Sequence, residues 1–276
     1  MFTPFRSGSR CNSWALWRGV WLSLLLVVTG CRSVRPPEAP PAASFRLLTW
    51  NVNWGMPESE QAVDLIAKSG ADVVCLQETD ENWEWLLREE LAQAYPTMHF
   101  RHAEARHAGG FAFLSRLPAT EVAYVPPDTG WFGAWIMAFA TPAGTVQVLN
   151  VHLRPPASDA GGFTLWSLLT TGDDRRREIE RFFARRQPDV PLIVAGDFNS
   201  GDGGSALDWL RDQGLTDALS EFDRKSPTWQ DKWGGITLKK RLDHVAYSPE
   251  LRCHDARVLE PAGSDHRAVM AVFSRR

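Results

Sequence analysis

Acidic and amide side chains recur where apolar stretches of this chain end. Residues 45–50 run into Asn51, and residues 72–77 run into Glu78. Residues 146–153 carry Asn150 and His152, and residues 191–195 lead to Asp197 and Asn199. Asp243 and His244 open a late apolar run, and Asp265 and His266 precede the last one. Core strands do not carry so many hydrogen-bonding groups unless the groups satisfy one another or bind an ion. Convergence at one sheet edge accounts for them better than scattered pairs. Carboxylate and amide oxygens suit a hard cation, Mg²⁺ or Mn²⁺. A zinc site at this edge would call for more His or Cys at tight spacing. Only Cys75 lies beside these residues, and strand alternation turns it into the core.

Other constellations weigh less. His152 by itself reads as a core histidine bonded to a neighbour. Ser264, Asp265 and His266 have the residue types of a hydrolase triad, but adjacent strand residues point to opposite faces and cannot relay a proton in sequence. Residues 201–205 are glycine-rich without the lysine of a phosphate-binding loop, which leaves a turn feeding a helix.

The elements that must position these groups follow from periodicity. Short apolar runs predict strands at 45–50, 72–77, 110–114, 121–125, 132–139, 146–153, 191–195, 244–247, 256–259 and 268–273. Ala62, Val63, Leu65 and Ile66 keep helical spacing, with Gly70 placed to stop the helix. Further helices are expected at 82–94, 173–186 and 206–211, the third with acids first and arginines last, as the helix dipole prefers. Residues 155–172 read as a long loop rich in Pro, Gly and Ser. Many strands with interspersed helices predict two packed sheets covered by helices, an α/β sandwich.

Six segments carry a family resemblance: LLTWNVNWG (47–55), VVCLQETD (73–80), VLNVHL (148–153), VAGDFNS (194–200), RLDHVAYS (241–248) and GSDHRAV (263–269). In this order they resemble the endonuclease/exonuclease/phosphatase superfamily, across essentially all of residues 45–276. The resemblance implies a deoxyribonuclease I-like four-layer sandwich of two mixed sheets flanked by helices. It implies a hydrolase of phosphoester bonds that uses Mg²⁺ or Mn²⁺. Asn51 and Glu78 would hold the metal, with Asp265 close by. Asp197 would orient or deprotonate water, and Asn199 would position it. His266, paired with Asp243, and His152 would bind the phosphoryl oxygens as cationic imidazoles.

Composition bounds the setting. The chain has 276 residues, 44% hydrophobic and 23% charged, which is ordinary globular usage and excludes a disordered chain. Residues 1–30 hold Arg6, Arg10 and Arg18 and no acid, and an apolar run over 20–30 ends at Cys31. That run is too short to span a bilayer and matches a secretory signal. Val28-Thr29-Gly30-Cys31 resembles a bacterial lipobox, which implies cleavage at 30 and acylation of Cys31. Arg32 follows it, so outer-membrane sorting is the expectation over inner-membrane retention. Residues 31–44 then form a lipidated, proline-rich linker, with the folded domain at 45–276. Without residues 1–30 the net charge is about −6, a modest argument against tight non-specific duplex binding. Cys75 and Cys253 read as buried free thiols.

The substrate is less legible. Trp54, Trp229, Lys240 and Arg241, with Asn150, are candidate substrate contacts. Such a rim stacks bases and holds phosphates, or seats a lipid headgroup. At least half of the tryptophans beyond residue 30 are expected in the core. Phe163, Leu165, Trp166, Leu168 and Leu169 would be a lipid-contacting patch if exposed. Arg175, Arg176 and Arg177 read as a solvated helix face. A monomeric nuclease leads. A phospholipid, sphingomyelin or phosphoinositide phosphoesterase is the alternative, and a non-catalytic binding module is third.

Overall fold

Two strands whose residues alternate between different apolar partners form the centre of the molecule. β1 (Ser44–Asn51) and β2 (Val73–Gln77) run parallel, with Asn51 level with Gln77. Leu47, Val73 and Cys75 face one core, whereas Leu48, Trp50, Val74 and Leu76 face another. That is the two-residue period of a strand buried on both sides. The computed structural model describes residues 34–55, 59–102, 107–128, 131–157 and 165–276. The signal-like segment, Cys31 and Phe163 lie outside them, as do the side chains of Leu165, Trp166, Leu168, Leu169 and Trp233.

The first sheet continues on either side of this pair. Its order is β13 (Leu251–Val258), β14 (Val269–Arg275), β1, β2, β4 (Phe111–Ser115) and β3 (Thr97–Arg101). The second sheet runs β5 (Ala119–Val125), β6 (Ala134–Thr141), β7 (Gly144–His152), β8 (Leu192–Asp197), β12 (Asp243–Tyr247) and β9 (Thr216–Asp217). Each sheet holds one parallel pair, β1–β2 and β7–β8, among antiparallel ones. The inner faces share a core of Leu47, Val73, Val148, Ile193 and Val245. Outside the first sheet lie α1 (Ser59–Ser69) and α2 (Glu81–Leu91), which bring Ile66, Trp83 and Leu87 onto Leu48 and Val74. Outside the second lie α3 (Leu165–Phe183) and α4 (Ser205–Asp212), with Phe182, Leu207 and Leu210 on Leu149 and Val194. Three apolar seams between four layers are the expected sandwich. Truncating any of these large buried side chains to alanine would cost about 2–5 kcal/mol.

Several elements differ from the sequence reading. α3 begins at Leu165, so the long loop expected over 155–172 is shorter. Arg175 is buried, with its guanidinium on Arg154 O at 3.1 Å and Thr171 Oγ1 at 3.0 Å, while Arg176 and Arg177 are exposed. The linker is not free from Val34 onward: Arg35 N donates to Glu221 O at 2.7 Å, and Glu38 N donates to His254 O at 2.9 Å. Glu221 belongs to α5 (Ala218–Phe222), a short helix the sequence did not reveal. Another such element is the hairpin of β10 (Trp229–Trp233) and β11 (Ile236–Lys240). Among the eight tryptophans whose side chains are described, Trp50, Trp83 and Trp135 are buried, Trp209 is half-buried against the core, Trp131 and Trp229 are half-buried, and Trp54 and Trp85 are exposed. Cys75 and Cys253 are buried free thiols, and burial raises the pKa of both. Among the described residues, no helix is long and apolar enough to cross a membrane.

Candidate active site

Strand register brings the polar residues to one level. His152 on β7 pairs with Asp197 on β8, and Asp197 pairs with Asp243 on β12. Each lies two residues from a partner position on the inner face, where Ala195 and Val245 enter the shared core. All three side chains therefore emerge at the rim of the inter-sheet seam. Asn51 ends β1 opposite them, and Glu78 follows β2. A polar layer separates this rim from the core: Gln77 Nε2 donates to Thr49 Oγ1 at 3.1 Å and to Asn150 Oδ1 at 2.7 Å. Asn150 Nδ2 donates to Leu76 O at 3.0 Å. Asn150 is thus a fully buried strut between the sheets and not the substrate contact its position suggested.

The backbone bends sharply at the same rim. Asn53, Glu78 and Asn199 adopt φ of 59°, 61° and 49°. Non-glycine residues rarely take this left-handed conformation, and where they do it often serves a site. Gly196, at φ 142°, lets β8 meet β7; a Cβ there would sit 2.0 Å from Val151 O. A Cβ on Gly110 would sit 1.7 Å from Thr79 O, so the turn carrying Glu78 also requires glycine opposite it.

Asn51 Nδ2 donates to Glu78 Oε1 at 2.9 Å and Asp197 Oδ2 at 3.2 Å. Its Oδ1 accepts from Asn53 N at 3.0 Å. Asp197 Oδ1 accepts from Asn199 N at 2.8 Å, and Asn199 Nδ2 donates to Leu153 O at 2.9 Å. His266 Nδ1 lies 2.9 Å from Asp243 Oδ2, which leaves Nε2 3.7 Å from Asp197 Oδ2. His152 Nδ1 donates to Ala108 O at 3.2 Å, and its Nε2 lies 3.6 Å from Asp197 Oδ2 and 3.8 Å from Glu78 Oε1. Phe132 stacks on the His152 ring with centroids 3.9 Å apart. Asp265 accepts from Asn53 Nδ2 and from Trp229 Nε1, each at 3.0 Å. Ser264 Oγ donates to Asn51 O at 2.8 Å and accepts from His266 N at 3.0 Å, a backbone tie with no nucleophile role. Sequence reasoning missed Asn53, Phe132, and Thr228, whose Oγ1 accepts from Asp243 N at 3.0 Å. Only Asn53 left a signal, as the second amide of an Asn-x-Asn step.

Burial raises the pKa of Glu78, against the Asn51 hydrogen bond, and burial likewise raises that of Asp197. For His266, burial opposes the charge, but Asp243 and Asp197 outweigh it and lift the imidazole to about 10. His152 goes the other way: burial lowers its pKa despite Asp197. The centre therefore holds one imidazolium and one neutral ring, not two cationic rings. Asp197, Asp243 and His266 lie close enough together for an ion, within 4.8 Å, but the imidazolium already supplies the cation there. Glu78 feels that imidazolium only at a distance, and Asp265 adds to the negative field around it. Asn51 and Glu78, with Asp265 nearby, fit a hard divalent cation by donor type.

The expected rim is only partly assembled. Trp54 is 47% exposed, and its backbone N–H lies 3.5 Å from Glu78 Oε2. It lines a hollow of about 260 Å³ with Asp80, Asn82 and Trp85. Trp229 stands against Asp265, and Lys240 is exposed on β11. Arg241 does not join them. It is buried, with Nη1 3.3 Å from Asp202 Oδ1 and Nε on Ser226 O at 3.4 Å.

A model of the endonuclease/exonuclease/phosphatase family matches residues 48–266. The chain belongs to this family. The matched span takes in every residue of the centre, from Asn51 to His266. Membership makes the protein a metal-dependent hydrolase of phosphoester bonds. A search of curated proteins finds no match. Solved structures share the fold of this family member. One is a family protein from Leptotrichia buccalis, with TM-score 0.64 and 20% identity over 83% of this chain and 99% of that one. A second, from Beutenbergia cavernae, has TM-score 0.63 and 18% identity over 84% and 72%. The human Nocturnin catalytic domain with a bound sulfate anion has TM-score 0.60 and 18% identity over 88% and 100%.

Proposed function

We propose that the protein is a Mg²⁺- or Mn²⁺-dependent phosphodiesterase that cleaves nucleic acid outside the cytoplasm, as a monomer tethered through acylated Cys31, at the outer membrane. The observation that carries the catalytic reading is the convergence of Asn51, Glu78, His152, Asp197, Asp243 and His266 at one rim. Asn51 and Glu78 would hold the metal, with Asp265 close by. Bound there, it would offset charge on the phosphoryl oxygens and the leaving group. Asp197 Oδ2 accepts the proton of the attacking water, and Asn199 fixes Asp197 and the water. The new P–O bond forms as the bond to the leaving alkoxide breaks. His266, held charged by Asp243, stabilises the phosphoryl oxygens, and His152 approaches the same phosphate from the other side. A sulfate on the similar Nocturnin domain is a tetrahedral oxyanion of the kind this rim would receive.

Trp54 and Trp229 beside the centre, with exposed Lys239 and Lys240, favour a nucleic-acid strand, because bases stack on aromatics while lysines meet phosphates. A lipid substrate is the second reading. It is favoured by Ile236 and Leu238, exposed by 67% and 40% on the same hairpin. The test offers residues 32–276 both classes with Mg²⁺: single-stranded DNA and plasmid, and vesicles of phosphatidylcholine with sphingomyelin or phosphatidylinositol. Cleavage of the nucleic acids is the expected result. Hydrolysis of the lipids alone would overturn the nuclease reading.

A further inference from the structure

A second group of ligand-type side chains meets on the opposite face of β12. His244 follows Asp243 in the chain, so its ring turns away from the catalytic rim. It is fully buried, edge-on to Phe198 with ring centroids 5.3 Å apart. Asp217 reaches it from β9, which pairs with the outer edge of β12. Asp202 reaches it from the glycine-rich turn between β8 and α4. One ligand atom from each of the three lies within 4.8 Å of the other two.

The hydrogen bonds made here leave two buried ligand-type atoms without a partner. His244 Nε2 lies 3.1 Å from Ser200 O. A carbonyl only accepts, so Nε2 carries the proton, and a neutral ring presents its lone pair at Nδ1. His244 Nδ1 and Asp217 Oδ1 are both sealed from solvent, and neither has a hydrogen-bond partner. They face each other at 3.6 Å, too far for a hydrogen bond between them. Asp217 Oδ2 is already engaged, accepting from Ser220 N at 3.1 Å to cap α5. Orphaned buried groups of this kind are costly unless an ion satisfies both. A metal-bound imidazole characteristically donates its other N–H to a backbone carbonyl, as His244 does to Ser200. Asp202, with its side chain 54% exposed, gives a route in from solvent. Arg241 pairs with Asp202 at 3.3 Å, and the side chain facing Asp217 Oδ1 is His244 itself. Asp217 raises the pKa of His244 against burial, so a proton and a cation compete for the same Nδ1.

We propose that Asp202, Asp217 and His244 form a second divalent-cation site, of zinc-type chemistry. One imidazole nitrogen and two carboxylates make a mixed donor set that a borderline ion prefers and Mg²⁺ does not. The catalytic rim offers oxygens to a hard ion, so the two sites select different metals. The bound ion ties β9, β12 and the turn after Asn199 together, which makes its role structural.

The test uses the full chain, stripped with chelator and then held in excess Mg²⁺ to fill the hard site. Zn²⁺ is titrated by calorimetry, with thermal unfolding in parallel. The expected result is one bound Zn²⁺ that raises the unfolding temperature. Asp202→Ala, on an exposed turn, weakens it by about tenfold or more, whereas His266→Ala keeps it. Absence of Zn²⁺ binding under excess Mg²⁺ overturns the site. So does affinity unchanged in folded Asp202→Ala, or binding lost in His266→Ala, which would put the ion at the catalytic rim. Nuclease assays in Mg²⁺ alone report on the catalytic reading separately.

Discussion

His266 Nδ1 and Asp243 Oδ2 are 2.9 Å apart and buried, and that contact aims His266 Nε2 at Asp197. Thr228 fixes the other end of the relay by accepting from Asp243 N and Leu242 N. The pair keeps His266 protonated up to about 10. Asp243→Asn removes the charge that holds it. Turnover should fall about 100-fold to 1,000-fold, as for loss of one transition-state donor. The alkaline limb of the kcat/KM profile, near 10 in the wild type, should move down. Rate–pH profiles of both proteins check this; an alkaline limb that stays in place would remove His266 from the chemistry.

The same histidine links pH to stability in the metal-free protein. Its folded pKa of about 10 exceeds the ordinary 6.5, so its contribution is complete below about pH 6.5 and is lost as pH rises through 10. Urea midpoints in chelator should fall across that window, and His266→Gln should flatten the fall. A wild-type slope unchanged in the variant would assign the effect elsewhere.

Glu78 is held above the ordinary carboxylate range by burial, so its charge destabilises the metal-free fold at neutral pH. Glu78→Gln should therefore raise the unfolding temperature in chelator by a few degrees while abolishing the rise that Mg²⁺ gives the wild type. Thermal scans with and without Mg²⁺ decide it. A variant that still gains stability from Mg²⁺ would place the cation elsewhere.

Much of this was legible in the sequence because a strand is a two-residue code. The alternation of Leu47 with Leu48, and of Val73 with Val74, sorts side chains into two cores before any contact is known. Residues at the ends of such strands then meet at one rim, which is how Asn51, Asp197 and His152 were found. What stayed hidden lacks that code. β3 (Thr97–Arg101) is an edge strand with every residue half-buried, so it has no apolar face to read. The β10–β11 turn, Gly234-Gly235 with φ of 55° and 84°, is a tight hairpin signal, but β11 is exposed throughout and has no buried face to read. Phe132 stacks on His152 only after the fold brings them together. Asn150 misled because it shares the rim strand with His152 while lying one step deeper, bonded to Gln77.

That last distinction is measurable. Asn150→Ala leaves Gln77 Nε2 and Leu76 O with fewer partners in a buried seam. It should cost about 1–3 kcal/mol of stability and leave KM near that of the wild type. A raised KM with unchanged urea midpoint would restore Asn150 as a substrate contact.

Tethering is tested by fractionation. Cys31→Ser should release the protein from the membrane fraction, and continued membrane association would rule out the lipid anchor.

The most direct test of the catalytic account is Mg²⁺-dependent cleavage of single-stranded DNA by wild type and Asp197→Ala, with circular dichroism to confirm the fold. The account predicts metal-dependent cleavage by the wild type and loss of turnover in a folded variant. An undiminished rate in folded Asp197→Ala would contradict it, because among the described residues Asp197 is the carboxylate that meets Asn51, His152 and His266 together.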